Sequence, residues 1–214
     1  MELTFSVFTP VHPPSLPYLR EAYESLREQT YGKWEWVIVP NLGAEVPQDI
    51  AQDERVKVVP FEREEGGEEE FLPVGALKRF ACAQASGHVF VELDADDMLT
   101  PNALAELGRA FANPSVMFAY SNDAEFEEET WKPHVYSDYW GWRSRPFHYK
   151  GHDLKQMIAW EPSPHMLRKI YWSPDHVRAW RKGAYMSLGG HNPELEFGDD
   201  HDLVCRTYLM FGAA

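Results

Sequence analysis

The chain has 214 residues, with 34 acidic and 20 basic side chains, a formal net charge of −14 and a pI near 5.0. This balance argues against a nucleic-acid-binding protein, because neutralising phosphates needs a dense basic surface. Apolar residues make up 44% of the chain, which excludes disorder as a description of the whole. We expect one folded domain with no integral membrane segment, since no apolar run is long enough to cross a bilayer.

The start of the chain and the cysteines bear on its location. Met1 and Glu2 carry no basic residues ahead of the first apolar run, so no secretory signal is predicted and we expect a cytoplasmic protein. Cys82 and Cys205 are far apart and lack the spacing of zinc ligands, so reduced thiols are expected.

Strands and helices alternate in the first half of the sequence. Apolar runs predict strands over residues 3–9, 34–39, 55–60, 88–93 and 116–120. Helical spacing predicts helices over residues 16–26 and 74–86, the second ended by Gly87 in a left-handed conformation, and a third over 101–112. The glutamate-rich residues 62–70 read as a solvated loop. This order requires crossover connections and therefore predicts an α/β fold with a mainly parallel sheet flanked by helices.

The regular pattern stops after residue 122. Residues 131–149 are rich in aromatic side chains and have no clean period, and a strand over 177–180 and helices over 182–188 and 199–211 follow. We therefore divide one continuous domain into residues 1–122 and 123–214.

A cluster of carboxylates follows the apolar strand of residues 88–93. Because side chains alternate along a strand, Asp94 and Asp96 are expected on one side and Ala95 on the other. The carboxyl ends of parallel strands hold ligands, and two adjacent anions are costly unless a cation offsets their repulsion. Oxygen ligands favour Mg²⁺ or Mn²⁺. The alternative is a simple acidic turn before the next helix.

Four motifs occur in an order that resembles glycosyltransferase family 2, whose members have the GT-A fold. The motifs are residues 5–10 with the following helix, residues 34–39, the basic pair Lys78 and Arg79 with the strand leading to Asp94, Ala95, Asp96 and Asp97, and Gly189-Gly190 followed by Asp199, Asp200 and Asp202. Residues 123–170 match no family motif. The ordered set is more specific than any single motif.

The resemblance implies transfer of one sugar, with inversion, from a nucleoside diphosphate sugar to a glycan or other hydroxyl acceptor, with a UDP-sugar as the expected donor. It implies that residues 1–122 bind the donor and that 123–214 hold the acceptor and the catalytic base, Asp200, beside Asp199. Asp96 and Asp94 would bind Mn²⁺ or Mg²⁺, with His176, or alternatively His201, completing the shell. The residues implied to contact the donor are Thr9, Pro10, Asn41, Lys78, Arg79, Asp94, Ala95, Asp96 and Arg181, with Arg178 as a second candidate for the diphosphate.

Departures from the family pattern bear on these roles. Asn41 lies in a Pro-Asn-Leu-Gly turn where the family has Asp-Asp-Gly-Ser, and Asp199 replaces a glutamate. The Gln-x-x-Arg-Trp segment of processive synthases is missing, which favours single addition.

Several simpler interpretations stay open. Lys78 and Arg79 could lie on a solvated helix face, and the aspartates from residue 199 onwards could only cap a helix. The aromatic residues of 131–149 could form an acceptor platform or only cover the sheet. The rival functions are a non-catalytic nucleotide-sugar or carbohydrate-binding module and a phosphohydrolase of the haloacid dehalogenase type, which would place its Asp-x-Asp motif on the first strand and a Thr or Val at Met98.

Overall fold

The computed structural model describes residues 2–61 and 73–212, so the loop predicted over residues 62–70 lies outside the described residues. The strands are β1 (Phe5–Val11), β2 (Trp34–Pro40), β3 (Val56–Val58), β4 (Val89–Glu92), β5 (Phe118–Tyr120), β6 (Phe126–Glu127), β7 (Lys132–Pro133), β8 (Ser144–Tyr149), β9 (His152–Met157) and β10 (Arg178–Arg181). The α-helices are α1 (Leu19–Arg27), α2 (Gln48–Ala51), α3 (Val74–Gln84), α4 (Ala103–Phe111), α5 (Pro164–Leu167), α6 (Lys182–Ser187) and α7 (Asp199–Phe211).

The central sheet has six strands in the order β3-β2-β1-β4-β10-β5. The first four are parallel, whereas β10 is antiparallel to both β4 and β5. This confirms the α/β fold with a mainly parallel sheet. The insertion of β10 between two strands from the first half is the feature that the order of elements did not predict.

Helices cover both faces of the sheet because its strands alternate apolar side chains between two cores. Val89 and Val91 of β4 face a core that includes residues of α1, α2 and α4, while Phe90 faces a core formed with α3, α5, α6 and α7. Glu92, two residues after Phe90, is therefore directed to the α3 and α7 side.

The structure corrects the boundaries of two predicted helices. The segment after Ser15 begins as a 3₁₀ turn, Pro13–Ser15, and α1 starts only at Leu19. α3 ends at Gln84, so Gly87 is not its left-handed stop. Gly87 is needed instead for close packing against β1, since a Cβ there would lie 2.5 Å from the Ser6 Oγ.

The second half contains structure that the sequence pattern missed. β8 and β9 form an antiparallel hairpin, and Trp142 is buried against Trp160 and Trp172. No helix in the described part of the chain is both long enough and apolar enough to span a membrane.

Candidate active site

A buried ion cluster lies at the carboxyl end of β4 and is centred on Glu92, whose side chain is fully buried. Its Oε1 lies 2.5 Å from the Lys78 ammonium and its Oε2 accepts a 2.7 Å hydrogen bond from the Arg178 Nε. Burial opposes the ionised form of Glu92, but the charges of Arg178 and Lys78 outweigh it and hold its pKa well below the usual range. The sheet edge therefore carries a fixed, paired carboxylate.

The two basic residues of α3 have different surroundings. Lys78 is buried with its ammonium between Glu92 and Asp94, 3.7 Å from the Asp94 Oδ1, so it is not on a solvated helix face. Arg79 is exposed, because consecutive helix residues point about 100° apart. Only Lys78 is brought to the site.

His176 lies against the acidic segment that follows β4. Its Nε2 is 3.5 Å from the Asp94 Oδ2, and its Nδ1 is 3.0 Å from an Asp175 oxygen and 3.3 Å from an Asp97 oxygen. Burial disfavours the imidazolium, but these carboxylates, Asp94 first, raise the pKa of His176 to about 9. Burial alone would raise the pKa of Asp94, but the charges of Lys78 and His176 lower it.

These residues fit a divalent cation. Ligand atoms of Glu92, Asp94 and His176 all lie within 4.8 Å of one another. Glu92 already binds two cationic side chains, so the groups able to donate to a metal are Asp94 and, once it has released its proton, His176. Ligands bound at about 2.1 Å and at right angles are roughly 3 Å apart, close to the observed 3.5 Å between Asp94 and His176. Asp175, on the other imidazole nitrogen, orients the ring as carboxylates next to metal-bound histidines do.

Asp96 is not in this group. β4 ends at Glu92 and residues 95–96 form a turn, so the strand alternation expected to align Asp94 with Asp96 no longer applies. Asp96 is exposed and lines a cavity beside His176. Ala95 is buried in the core under the turn.

Asp200, in the first turn of α7, reaches the same cluster through Arg178. Its Oδ2 lies 2.8 Å from the Arg178 Nη1, and the Arg178 Nη2 lies 3.1 Å from the His176 Nε2. One guanidinium that is 2% exposed therefore contacts Glu92, His176 and Asp200. The Asp200 side chain keeps 26% exposure, so it is reachable from solvent.

Asp199 points away from solvent and His201 points away from the cluster. Asp199 is 2% exposed, and burial raises its pKa. The His201 Nε2 lies 3.4 Å from the Cys205 Sγ, further along α7. Of the two histidines considered as metal ligands, His176 is the one beside Asp94.

Arg181, which was predicted to contact the diphosphate, is not brought to the cluster. Its guanidinium donates to the carbonyls of Phe111, Asn113 and Val116, at the end of α4. Arg181 pairs with the first residue of β4 and Arg178 with the last, because the two strands are antiparallel. The cationic side chain at the carboxyl end is thus that of Arg178.

Thr9, Pro10 and Asn41 lie at the carboxyl edge of β1 and β2. The Thr9 hydroxyl is buried, donates to the Leu93 carbonyl at 2.6 Å and accepts from the Trp36 indole at 2.8 Å. Pro10 is half-buried, and the backbone N–H of Asn41 donates to the Val11 carbonyl. Thr9 thus joins β1 to the end of β4 rather than presenting a free hydroxyl.

A cavity of 1220 Å³ opens beside the cluster, between the segment after β4, β5 and the β8–β9 hairpin. Asp96, Asp97, Asp123 and His176 line it. Burial raises the pKa of Asp97 to about 6 and that of Asp123 to about 7.

The aromatic residues of 131–149 divide between several places. Phe147 and Tyr149 line the cavity, Trp142 is buried, and Tyr139 and Trp140 are exposed at 83% and 73%. Trp131 stacks between Phe126 and His152. They do not form one continuous platform.

The sequence analysis missed two buried residues of the cluster, Glu92 and His191. His191 is fully buried, and its Nδ1 lies 2.8 Å from the Tyr185 hydroxyl. The available signals were a glutamate inside an otherwise apolar strand and a histidine directly after the Gly189-Gly190 turn.

Known proteins are similar to this chain in sequence over most of its length. A model of the family described as Glycosyl transferase family 2 matches residues 6–167, including the segment from 123 onwards in which we found no motif. The O-antigen biosynthesis protein RfbC of Myxococcus xanthus is 28% identical over 211 residues, which are 94% of this chain and 14% of RfbC.

Solved structures show the same fold. Residues 1–349 of TarS from S. aureus align with a TM-score of 0.62 and 18% identity, covering 96% of this chain and 55% of that one. The mannosyltransferase PcManGT from Pyrobaculum calidifontis, in complex with GDP-Man and Mn²⁺, aligns with a TM-score of 0.62 and 16% identity, covering 99% and 53%. The chain thus spans 14% of RfbC and about half of each structural relative.

Proposed function

Because this chain belongs to glycosyltransferase family 2, we propose that it transfers a single sugar from a nucleoside diphosphate sugar to an acceptor hydroxyl, with inversion at the anomeric carbon. One observation carries the proposal. The buried Arg178 contacts His176, beside Asp94, on one side and Asp200 on the other. A group able to bind a divalent cation and an accessible carboxylate thus share one rigid support.

Asp200 is the proposed base. Its carboxylate takes the proton of the acceptor hydroxyl while the hydroxyl oxygen bonds to the anomeric carbon and the bond from that carbon to the diphosphate breaks. The electron pair of the broken bond leaves with the diphosphate, and attack from the opposite face inverts the carbon. Arg178 and the amide of His201, which donates to the Asp200 Oδ1 at 2.7 Å, fix the direction of the carboxylate.

Asp94 and His176 are the proposed ligands of Mn²⁺ or Mg²⁺, and Asp96 is proposed to approach the donor from the exposed turn. When bound, such an ion supplies positive charge that stabilises the leaving diphosphate. The complexes of TarS with UDP and with UDP-GlcNAc, and of PcManGT with GDP-Man and Mn²⁺, support a nucleotide sugar as donor, and we propose a UDP-sugar.

The cavity between β5 and the β8–β9 hairpin is the proposed acceptor site. Residues beyond 122 form much of its wall, in keeping with a second half that holds the acceptor. Phe147 and Tyr149 supply flat apolar surfaces of the kind on which sugar rings pack.

The base is tested by measuring release of nucleoside diphosphate from a panel of UDP- and GDP-sugars, with Asp200→Asn compared with wild type. We expect kcat to fall by about 10² to 10⁴ while donor affinity by calorimetry is retained. Asp202→Asn is the matched control, since Asp202 lies in the same helical turn but pairs with Arg206. Unchanged turnover in Asp200→Asn would remove Asp200 from the mechanism.

The metal ligands are tested by Mn²⁺ titration of donor binding. Asp94→Asn should lose the Mn²⁺ dependence of donor affinity. The same titration of Asp96→Asn shows whether the exposed turn contributes to donor affinity. Full Mn²⁺ stimulation in Asp94→Asn, or glycan binding without any nucleotide binding in wild type, would contradict the proposal.

A further inference from the structure

We propose that His191 is a positioning residue, which holds Asp199 through its Nε2–H and thereby keeps the first turn of α7 placed for Asp200. The His191 Nε2 and the Asp199 Oδ2 face each other at 3.9 Å, and both are buried. The inference deepens the proposed function, on which it rests for the role of Asp200.

The groups that face the two ring nitrogens indicate which nitrogen of His191 carries the hydrogen. The Tyr185 hydroxyl lies 2.8 Å from Nδ1 and also accepts from the His191 backbone amide at 3.3 Å, so it is placed to donate its own hydrogen to Nδ1. Burial raises the pKa of Tyr185 well above its usual range, which keeps that hydrogen on the hydroxyl. An ionised carboxylate can only accept, and Glu92 faces Nε2 at 3.7 Å, so the hydrogen of a neutral imidazole belongs on Nε2.

The Nε2–H of His191 points at two carboxylates, Glu92 at 3.7 Å and Asp199 at 3.9 Å. Glu92 is already bound by Lys78 and Arg178. Among residues 2–61 and 73–212, neither the His191 Nε2 nor the Asp199 Oδ2 has a hydrogen-bond partner. Leaving a buried donor and a buried acceptor unpaired costs about 1–3 kcal/mol each, so a small side-chain rotation or one bridging water joins them.

Asp199 transmits this constraint to the base because it is the first residue of α7 and precedes Asp200. It is wedged against α3, where a Cβ on Gly75 would lie 2.8 Å from the Asp199 Cβ. With the Asp199 Cβ against α3 and its carboxylate held by His191, the start of α7 has little freedom. Misplacing a reacting group by about 1 Å can cost roughly a hundredfold in rate.

If His191 only filled space, replacing it with phenylalanine would leave kcat unchanged. Its ring packs 5.7 Å from Phe8, 5.9 Å from Trp180 and 5.6 Å from Tyr185, measured between ring centroids. Phenylalanine would preserve that aromatic packing while removing both ring nitrogens. Glutamine would retain an amide donor near the position of Nε2.

The experiment compares His191→Phe and His191→Gln by kcat, donor KM, donor affinity and thermal unfolding. We expect His191→Phe to lower kcat by roughly tenfold to a hundredfold with donor affinity retained, and His191→Gln to recover part of the loss. A kcat equal to wild type in a folded His191→Phe would overturn the inference. The inference would also be overturned if His191→Phe lowered kcat by the same factor in an Asp200→Asn background. A residue that acts through the base should have no further effect once the base is gone.

A spectroscopic measurement separates failure of this inference from failure of the proposed base, and it serves if His191→Phe does not fold. In ¹⁵N NMR of the wild type, His191 should show a protonated Nε2 with a slowly exchanging hydrogen, and Asp199→Asn should shift that signal. An Nδ1-protonated ring, or a signal insensitive to Asp199→Asn, would overturn the inference whatever the kinetics of Asp200→Asn.

Discussion

The sharpest quantitative consequence of the buried cluster concerns Arg178→Met. Arg178 is 2% exposed and bonds to Glu92 at 2.7 Å and Asp200 at 2.8 Å. Methionine fills much of the same apolar space, but Glu92 then loses its bond to the guanidinium and keeps the one to Lys78. Removing one partner of a buried ion pair typically costs about 3–5 kcal/mol, because the other charge stays desolvated.

That cost is measurable by urea unfolding followed through tryptophan fluorescence. With a slope of about 2–3 kcal/mol per M, the midpoint should fall by about 1–2.5 M. Arg109→Met is the control, since Arg109 and Glu106 form an ion pair whose side chains are 74% and 52% exposed. Pairs of that kind contribute about 1 kcal/mol or less.

The destabilisation should also depend on pH. In wild type the lowered pKa of Glu92 adds stability above the unfolded value, about 4.3, and this contribution is lost as the pH falls. In Arg178→Met the weakly compensated Glu92 is relieved by protonation, so the difference from wild type should shrink towards pH 4. A loss at neutral pH no larger than that of Arg109→Met would refute the electrostatic reasoning.

Three further predictions concern stability and thiol chemistry. Gly87→Ala should lower the free energy of unfolding by about 1–3 kcal/mol, because the new Cβ would lie 2.8 Å from a backbone oxygen of the segment before β1. Gly183→Ala is the control and should not destabilise, since a Cβ there would have nothing within 4 Å. Equal unfolding midpoints for the two variants would contradict this prediction. Burial and neighbouring carboxylates raise the pKa of Asp123 to about 7, so the folded state holds a proton that the unfolded state releases near pH 4, and stability falls as the pH rises between them. Asp123→Asn should therefore be more stable than wild type at pH 8 and show no such gain below about pH 4, which pH-dependent melting would check. Burial raises the pKa of the Cys82 thiol, so a thiol reagent should modify Cys82 only on unfolding, and rapid labelling of the native protein would count against the packing.

The fold was predictable because its signals are local. Alternating apolar runs and helical spacing located β1, β2, β4, α3 and α7 to within a few residues. The pairing of β10 was not predictable, because the sequence of a short strand near residue 180 does not show which strands it pairs with or in which direction it runs.

The site was only partly predictable, since buried polar residues depend on distant partners. Asp94 and Asp200 stood out as motif residues, but Glu92 and Arg178 are 86 positions apart in sequence and became recognisable as a pair only once β10 was placed. The same register separates Arg178 from Arg181, which look equivalent in the sequence. His191 was not recognised because its contacts are with Tyr185 and Asp199, which lie on two different helices.

The antiparallel position of β10 has a consequence for the order of assembly. β5 joins the central sheet through β10, so this edge cannot close before residues 178–181 have been synthesised. Until then β4 presents an open edge, and the carboxylate at its end lacks the guanidinium that later neutralises it. Non-local pairings of this kind form late. During synthesis residues 1–122 can collapse first, and the buried ion cluster is completed only when β10, the last strand of the sheet in chain order, is inserted.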